Sequence, residues 1–255
     1  GCLRIKSVFA ADEIRSLHSA FVEKYGTYFE NKVFDDALLV GDRRTMITVA
    51  VQGPFNSSRL YANRLIVTLM KRLLGQHLTL GSVGAIVSLP GARNQQIHRD
   101  IPPIFSEQDN GEGKFVTSAL PPYAVTVVIP LVPLDKETGT TRMWPGSHRD
   151  SSADNRRGRF YDPYASLGDC LLMDYRLRHQ GLANASGTVR AILYLVYCRP
   201  WFVDYRNYWK QEPLRVPRHE YERVPLEHRN LFSRTRGGDD RVTPDPAWLK
   251  LGRDP

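Results

Sequence analysis

Two stretches of this 255-residue chain carry side chains whose types and spacing suit a metal ion. In Gln95-Gln96-Ile97-His98-Arg99-Asp100, the imidazole of His98 and the carboxylate of Asp100 stand two residues apart. On an extended segment, alternate residues point the same way, so both would face one side. His179, at the end of Tyr175-Arg176-Leu177-Arg178-His179, arrives from a later strand and completes two imidazoles and one carboxylate. That donor set holds ferrous iron on one face and leaves the opposite positions open. Arg190 lies in the apolar, β-branched run from Val189 to Tyr197. A guanidinium buried there demands an anion, and a carboxylate matches its two-pronged geometry. These four residues predict an iron site with a carboxylate-bearing co-substrate beside it.

Other arrangements compete for the same residues. His148-Arg149-Asp150, with Asn155 beyond it, imitates a protein-kinase catalytic loop. No glycine-rich loop with a strand lysine precedes it and no Asp-Phe-Gly follows, so that reading is rejected. His148 follows a Pro-Gly turn, where a local structural role is expected. His18, His77, His219 and His228 have no ligand-spaced carboxylate on a strand and are read as surface residues. A zinc hydrolase would use the same three ligands but leaves Arg190 without a task and lacks an obvious general base. A structural ion pair for Arg190 stands as the alternative to co-substrate binding.

The order His98-x-Asp100, then Trp144-Pro145-Gly146-Ser147-His148, then His179 and Arg190 resembles the phytanoyl-CoA dioxygenase family of iron(II)- and 2-oxoglutarate-dependent oxygenases. The similarity runs from about Leu80 to Tyr197. The resemblance implies a mainly β, double-stranded β-helix (jelly-roll) core with helices packed on one face. It implies His98, Asp100 and His179 as iron ligands and Arg190 as the partner of the far carboxylate of 2-oxoglutarate. The implied reaction consumes dioxygen, releases succinate and carbon dioxide, and hydroxylates, desaturates or cyclises a small organic molecule, with specialised metabolism as the expected setting. One departure is visible: many members place Ser two residues after the distal histidine, where this chain has Gly181. Thr126 or another hydroxyl is therefore expected to help hold the co-substrate; Arg99, Trp144 and Met173 are expected around the substrate, with a solvated Arg99 and core positions for Trp144 and Met173 as the alternatives. A nucleic-acid-directed oxygenase and a non-catalytic jelly-roll binding protein are the other two readings.

The elements that must position these residues follow from periodicity. Apolar Ile14, Leu17, Phe21 and Val22 predict a helix from Ala11 to Tyr25, stopped at Gly26. Ser57-Ser58 opens a second, through Leu60, Leu65, Leu69 and Leu73 to Gly75. From Leu78 the period becomes that of strands: Val83 to Leu89, Gln95 to Asp100, Ala124 to Val132, Thr140 to Trp144, Cys170 to Tyr175, and Val189 to Arg199. A polar insertion, Ser106 to Ser118, is placed to lie over the site opening. One domain is expected, with a helical part at 1–77, a jelly-roll core at 78–199 and a wrapping tail at 200–255. Pro225 to Phe232 is expected as a short helix in that tail. Trp201, Tyr205, Tyr208 and Trp209 are expected to be core more than a stacking platform for bases.

At 42% hydrophobic, the chain can bury one substantial core. No apolar run approaches the roughly 18 residues that cross a bilayer. Three cysteines, Cys2, Cys170 and Cys198, fit a reducing, cytoplasmic setting. The net charge of +8 sits largely on loop and tail arginines: Arg156, Arg157, Arg159, Arg215, Arg218, Arg223, Arg229, Arg234 and Arg236. It reads as a solvated basic surface, making nucleic acid the less favoured partner beside a small molecule.

Overall fold

Nearly every residue of Arg190–Cys198 is buried, and the side chains alternate between two faces. Ala191, Leu193, Leu195 and Tyr197 enter one apolar core, while Arg190, Ile192, Tyr194 and Val196 face the other side. In a computed structural model, which describes residues 1–102, 119–150 and 159–235, this segment is the central strand of the protein. Among the described residues the strands are β1 (Cys2–Ile5), β2 (Leu38–Gly41), β3 (Arg44–Thr48), β4 (Thr79–Ser88), β5 (Ala124–Pro130), β6 (Thr141–Met143), β7 (Cys170–Asp174), β8 (His179–Gly181) and β9 (Arg190–Cys198). Seven form an antiparallel sheet in the order β1-β7-β5-β9-β4-β3-β2, and β6 pairs with β8 in a small second sheet. A mainly β jelly-roll results, as expected. The candidate site residues lie between its two sheets.

The helices cover the large sheet's other face. Helix α1 (Ala11–Tyr25) buries Ile14, Leu17 and Phe21 in the same core that receives one face of β4, β5 and β9, while Val22 stays exposed. The second expected helix is two: α2 (Ser58–Tyr61) and α3 (Arg64–Leu74). Asn63 causes the break, because its side chain accepts from the backbone N–H groups of Leu65 and Ile66 and starts a new helix. That restart rotates the buried stripe to Ile66, Met70 and Leu74, leaving Leu65 and Leu73 exposed. Gly75 ends α3 with φ of +95°, a value that favours glycine. Asn63→Ala is expected to cost about 1 kcal/mol, read as a lower midpoint in thermal or denaturant unfolding.

Three expectations need correction. Residues 1–77 are not only helical, since β1, β2 and β3 come from them and join the large sheet. Gln95 to Asp100 is extended but is not a strand; a single bridge pairs His98 with His179, and Gln95 N–H donates to Gly181 O at 2.9 Å. Trp201, Tyr205 and Trp209 are 64%, 73% and 67% exposed, so they are not core, whereas Phe202 and Tyr208 turn inward. The described part of the tail, residues 200–235, is tied to the sheet and its neighbours: Val83 N–H donates to Pro213 O, Val51 N–H to Arg215 O, and Thr79 Oγ1 to Leu231 O. The expected tail helix is a 3-10 helix, Leu226–Phe232. The Ser106 to Ser118 insertion, Arg156, Arg157 and Arg236 lie outside the described residues. Among the described residues, no helix is long and apolar enough to cross a membrane.

Candidate active site

His98, Asp100 and His179 converge between the sheets, each offering one ligand atom, with those atoms all within 4.8 Å of one another. Mutual backbone hydrogen bonds between His98 and His179 lock the two histidines side by side, with ring centroids 4.3 Å apart. Each Nδ1 is held by the backbone carbonyl two residues earlier: His98 to Gln96 O at 2.8 Å, His179 to Leu177 O at 3.0 Å. With Nδ1 as the donor, each Nε2 presents a lone pair, the tautomer a metal ligand requires. Burial pushes the His98 pKa down to about 4, helped by His179, and pushes His179 down too, so both rings are neutral at neutral pH. Burial pushes the Asp100 carboxyl up to about 7, a strained position for a carboxylate that a bound cation relieves. The donor set fits a divalent iron.

The cluster opens on a cavity of about 560 Å³ lined also by Arg44, Thr126, Met173 and Arg190. Register sets its charged end. Arg44 on β3 pairs with Ser88 on β4, and Ser88 pairs with Arg190 on β9, so two arginines flank one serine. Arg190 donates to the carbonyls of Thr138 (2.8 Å) and Leu182 (3.0 Å) and to Ser88 Oγ (3.0 Å). Arg44 donates to Ser88 Oγ (2.8 Å), Gly181 O (3.2 Å) and Leu182 O (2.8 Å). These acceptors are neutral. Among the described residues neither guanidinium makes an ion pair, and nearby Asp42 pairs with Arg93 instead. Burial lowers the Arg190 pKa to about 9, with Arg44 adding to the effect, yet it remains a cation at neutral pH. Two buried positive charges side by side call for an anion.

Two glycines make room for this end. A Cβ on Gly139, where φ is +76°, would sit 2.1 Å from Ala183 O and 2.5 Å from Arg190 Nη1. A Cβ on Gly181 would sit 2.5 Å from Gln95 Oε1 and 2.7 Å from Arg44 Nη1. Gly181 thus stands where a serine was expected because Arg44 and Gln95 fill the space a side chain would take.

The other expected site residues divide. Met173 and Thr126 line the cavity. Thr126, however, pairs with Val196, six residues along β9 from Arg190. At about 3.3 Å per residue that is about 20 Å, too far for one five-carbon acid to touch both, so its expected co-substrate role is corrected. Arg99 does not line the cavity; it donates to the carbonyls of Ser147, Arg176 and Asp150 and ties loops together. Trp144 is buried away from the cavity, beside Phe160 at 6.4 Å between ring centroids. Arg44, Tyr194, Tyr208 and Asn207 line it and were not anticipated.

His148 sits in a 3-10 turn, Ser147–Arg149, apart from the metal cluster. Burial lowers its pKa from the ordinary 6.5 to about 4. The folded protein keeps this ring neutral while the unfolded chain takes up a proton below about 6.5. The unfolded state then binds more protons, so this contribution to stability is complete above 6.5 and lost as pH falls towards 4. His148→Gln is expected to lose less stability than the parent over that window, measured as the change in Tm with pH.

The sequence profile of the family described as phytanoyl-CoA dioxygenase (PhyH) matches residues 1–192. The chain belongs to the PhyH family. Among curated proteins, dioxygenase af480 of Aspergillus fumigatus is 27% identical over 159 residues, covering 60% of this chain and 48% of that protein. The chain thus spans about half the length of that relative. Dioxygenase trt7 of Aspergillus terreus is 26% identical over 263 residues, covering 95% and 87%. Among solved structures, HygX from Streptomyces hygroscopicus, with nickel and 2-oxoglutarate bound, superposes with a TM-score of 0.61 at 17% identity, covering 81% of this PhyH-family chain and 85% of HygX. The 2-oxoglutarate-dependent epimerase SnoN from nogalamycin biosynthesis gives 0.57 at 20% identity, covering 78% of each chain. These two likenesses are of fold.

Proposed function

We propose that this PhyH-family chain is an iron(II)- and 2-oxoglutarate-dependent dioxygenase that oxidises a small organic molecule in a biosynthetic pathway. The observation that carries the reading is a neutral His98–His179 pair and a carboxylate at metal-binding distances, in one cavity with two buried arginines that make no ion pair among the described residues. His98, Asp100 and His179 are the metal ligands in this reading. Arg190 and Arg44 receive the far carboxylate of 2-oxoglutarate. When bound, iron and 2-oxoglutarate supply the oxidising chemistry, in which dioxygen is consumed and 2-oxoglutarate leaves as succinate and carbon dioxide.

The chain's own residues position and shield. Gln96 and Leu177 carbonyls orient the two imidazoles, so the ligand lone pairs point inward before any metal arrives. Ser88, shared by both guanidiniums, holds them in one orientation for a two-pronged contact with a carboxylate. Ile192, Val128 and Met173 wall the cavity with apolar surface and limit water near the ligands. The three unpaired cysteines, two of them buried, support a cytoplasmic setting. Anaerobic addition of iron(II) and then 2-oxoglutarate is expected to produce a visible charge-transfer absorbance; its absence with folded protein would sink the assignment.

A further inference from the structure

Thr126 is 5% exposed, and its Oγ1 has no hydrogen-bond partner among the described residues, although the residue lines the cavity. A buried hydroxyl left unpaired carries a desolvation penalty, which a hydrogen-bonding ligand removes. Rotation about χ1 exchanges its hydroxyl and methyl at the cavity wall, so the oxygen can be turned towards a ligand. The register keeps that ligand distinct from the acid at the arginine end. Thr126 pairs with Met173 and Val196, whereas Arg190 pairs with Ser88 at the opposite end of β9.

The surroundings define the ligand's chemistry. Met173, Val128 and Val196 present apolar surface next to Thr126. The wall continues with Tyr194 and Tyr208, whose hydroxyls are 3.3 Å apart and partner each other. Apart from the metal cluster, the charged side chains lining the cavity among the described residues are Asp42, Arg44 and Arg190, all at the other end. Among the described residues no cationic side chain stands beside Thr126, so an anionic substrate would go unpaired at that end.

We propose that Thr126 is a specificity-determining residue that hydrogen-bonds the oxygen function of a neutral, mainly apolar substrate held against Met173 and Val196. This rests on the dioxygenase reading for the reaction that follows, but the binding itself is separately measurable.

The test uses protein loaded with nickel(II) and 2-oxoglutarate, titrated with fluorene, fluorenol and fluorene carboxylate while intrinsic fluorescence is followed. Fluorenol is expected to bind about fivefold more tightly than fluorene, the size of one net neutral hydrogen bond, with the carboxylate weakest. Thr126→Val keeps the shape and removes the hydroxyl, so the fluorenol preference should vanish; Thr126→Ser should keep it. Thr126→Ala gives the same comparison if the valine variant does not fold. Preference surviving in the valine or alanine variant, the carboxylate binding as tightly as the alcohol, or no probe binding at all would each overturn the proposal. Calorimetry with 2-oxoglutarate separates the two readings. If 2-oxoglutarate binds and Thr126 is indifferent, only the substrate assignment falls. If 2-oxoglutarate fails to bind while the Thr126-dependent preference persists, the dioxygenase reading falls and the substrate site stands.

Discussion

Asp100→Ala, His98→Ala and His179→Ala are each expected to eliminate 2-oxoglutarate turnover and to weaken iron binding by well over a hundredfold. Even the outer partners of a metal ligand cost about 10- to 100-fold when removed, and these residues are assigned the bonds themselves. Loss should be similar for all three, because the donor atoms lie within one 4.8 Å cluster and none has a substitute among the described residues. Stability of the metal-free protein should respond differently. Asp100 is held above its ordinary pKa chiefly by burial, so its removal relieves strain in the absence of metal. The informative control is His148→Ala, which belongs to the competing His-Arg-Asp sequence. That variant is expected to be less stable yet to bind iron normally. Iron titration monitored by succinate release and by calorimetry decides the matter, and equal loss of iron in His148→Ala would show that the cluster has been misassigned.

The second large effect concerns the arginines. Arg190→Leu is expected to raise the KM for 2-oxoglutarate at least about thirtyfold, since truncating one partner of a buried charge pair costs about 2–5 kcal/mol. Arg44→Leu should act in the same direction, because both guanidiniums share Ser88 Oγ and Leu182 O. The double variant should show less than the sum of the two losses, as expected for groups that meet one anion. Arg190→Lys retains the charge but not the planar fork and should recover only part of the affinity. If both single variants bind 2-oxoglutarate as the parent does, the charged end has another ligand.

Much of this arrangement was readable in the sequence, for a definite reason. His98 and Asp100 share a face by the two-residue period, and Arg190 announced itself as the lone charge in an apolar strand. The same period argues against Arg99, which stands between two ligands and therefore points away from them. Trp144 failed because proximity to the Pro-Gly-Ser-His turn is proximity along the chain, not around the cavity. Arg44 was hidden for another reason. In Asp42-Arg43-Arg44-Thr45 it looks like one charge in a surface turn, and only the β3–β4–β9 register brings it opposite Arg190. Asn63 was the missed signal in the helices, a capping residue inside what looked like one continuous apolar pattern.

The position of Arg44 ties two properties that are ordinarily separate. Its strand is next to last in the large sheet, covered only by β2, and β2 residues Val40 and Gly41 also border the cavity. Fraying of this marginal hairpin would withdraw a cation from the anion's berth before the central strands loosen. Co-substrate occupancy should therefore protect the backbone amides of β2 and β3 from hydrogen exchange more than those of β5 and β7, turning a remote edge of the molecule into a gauge of how full its centre is.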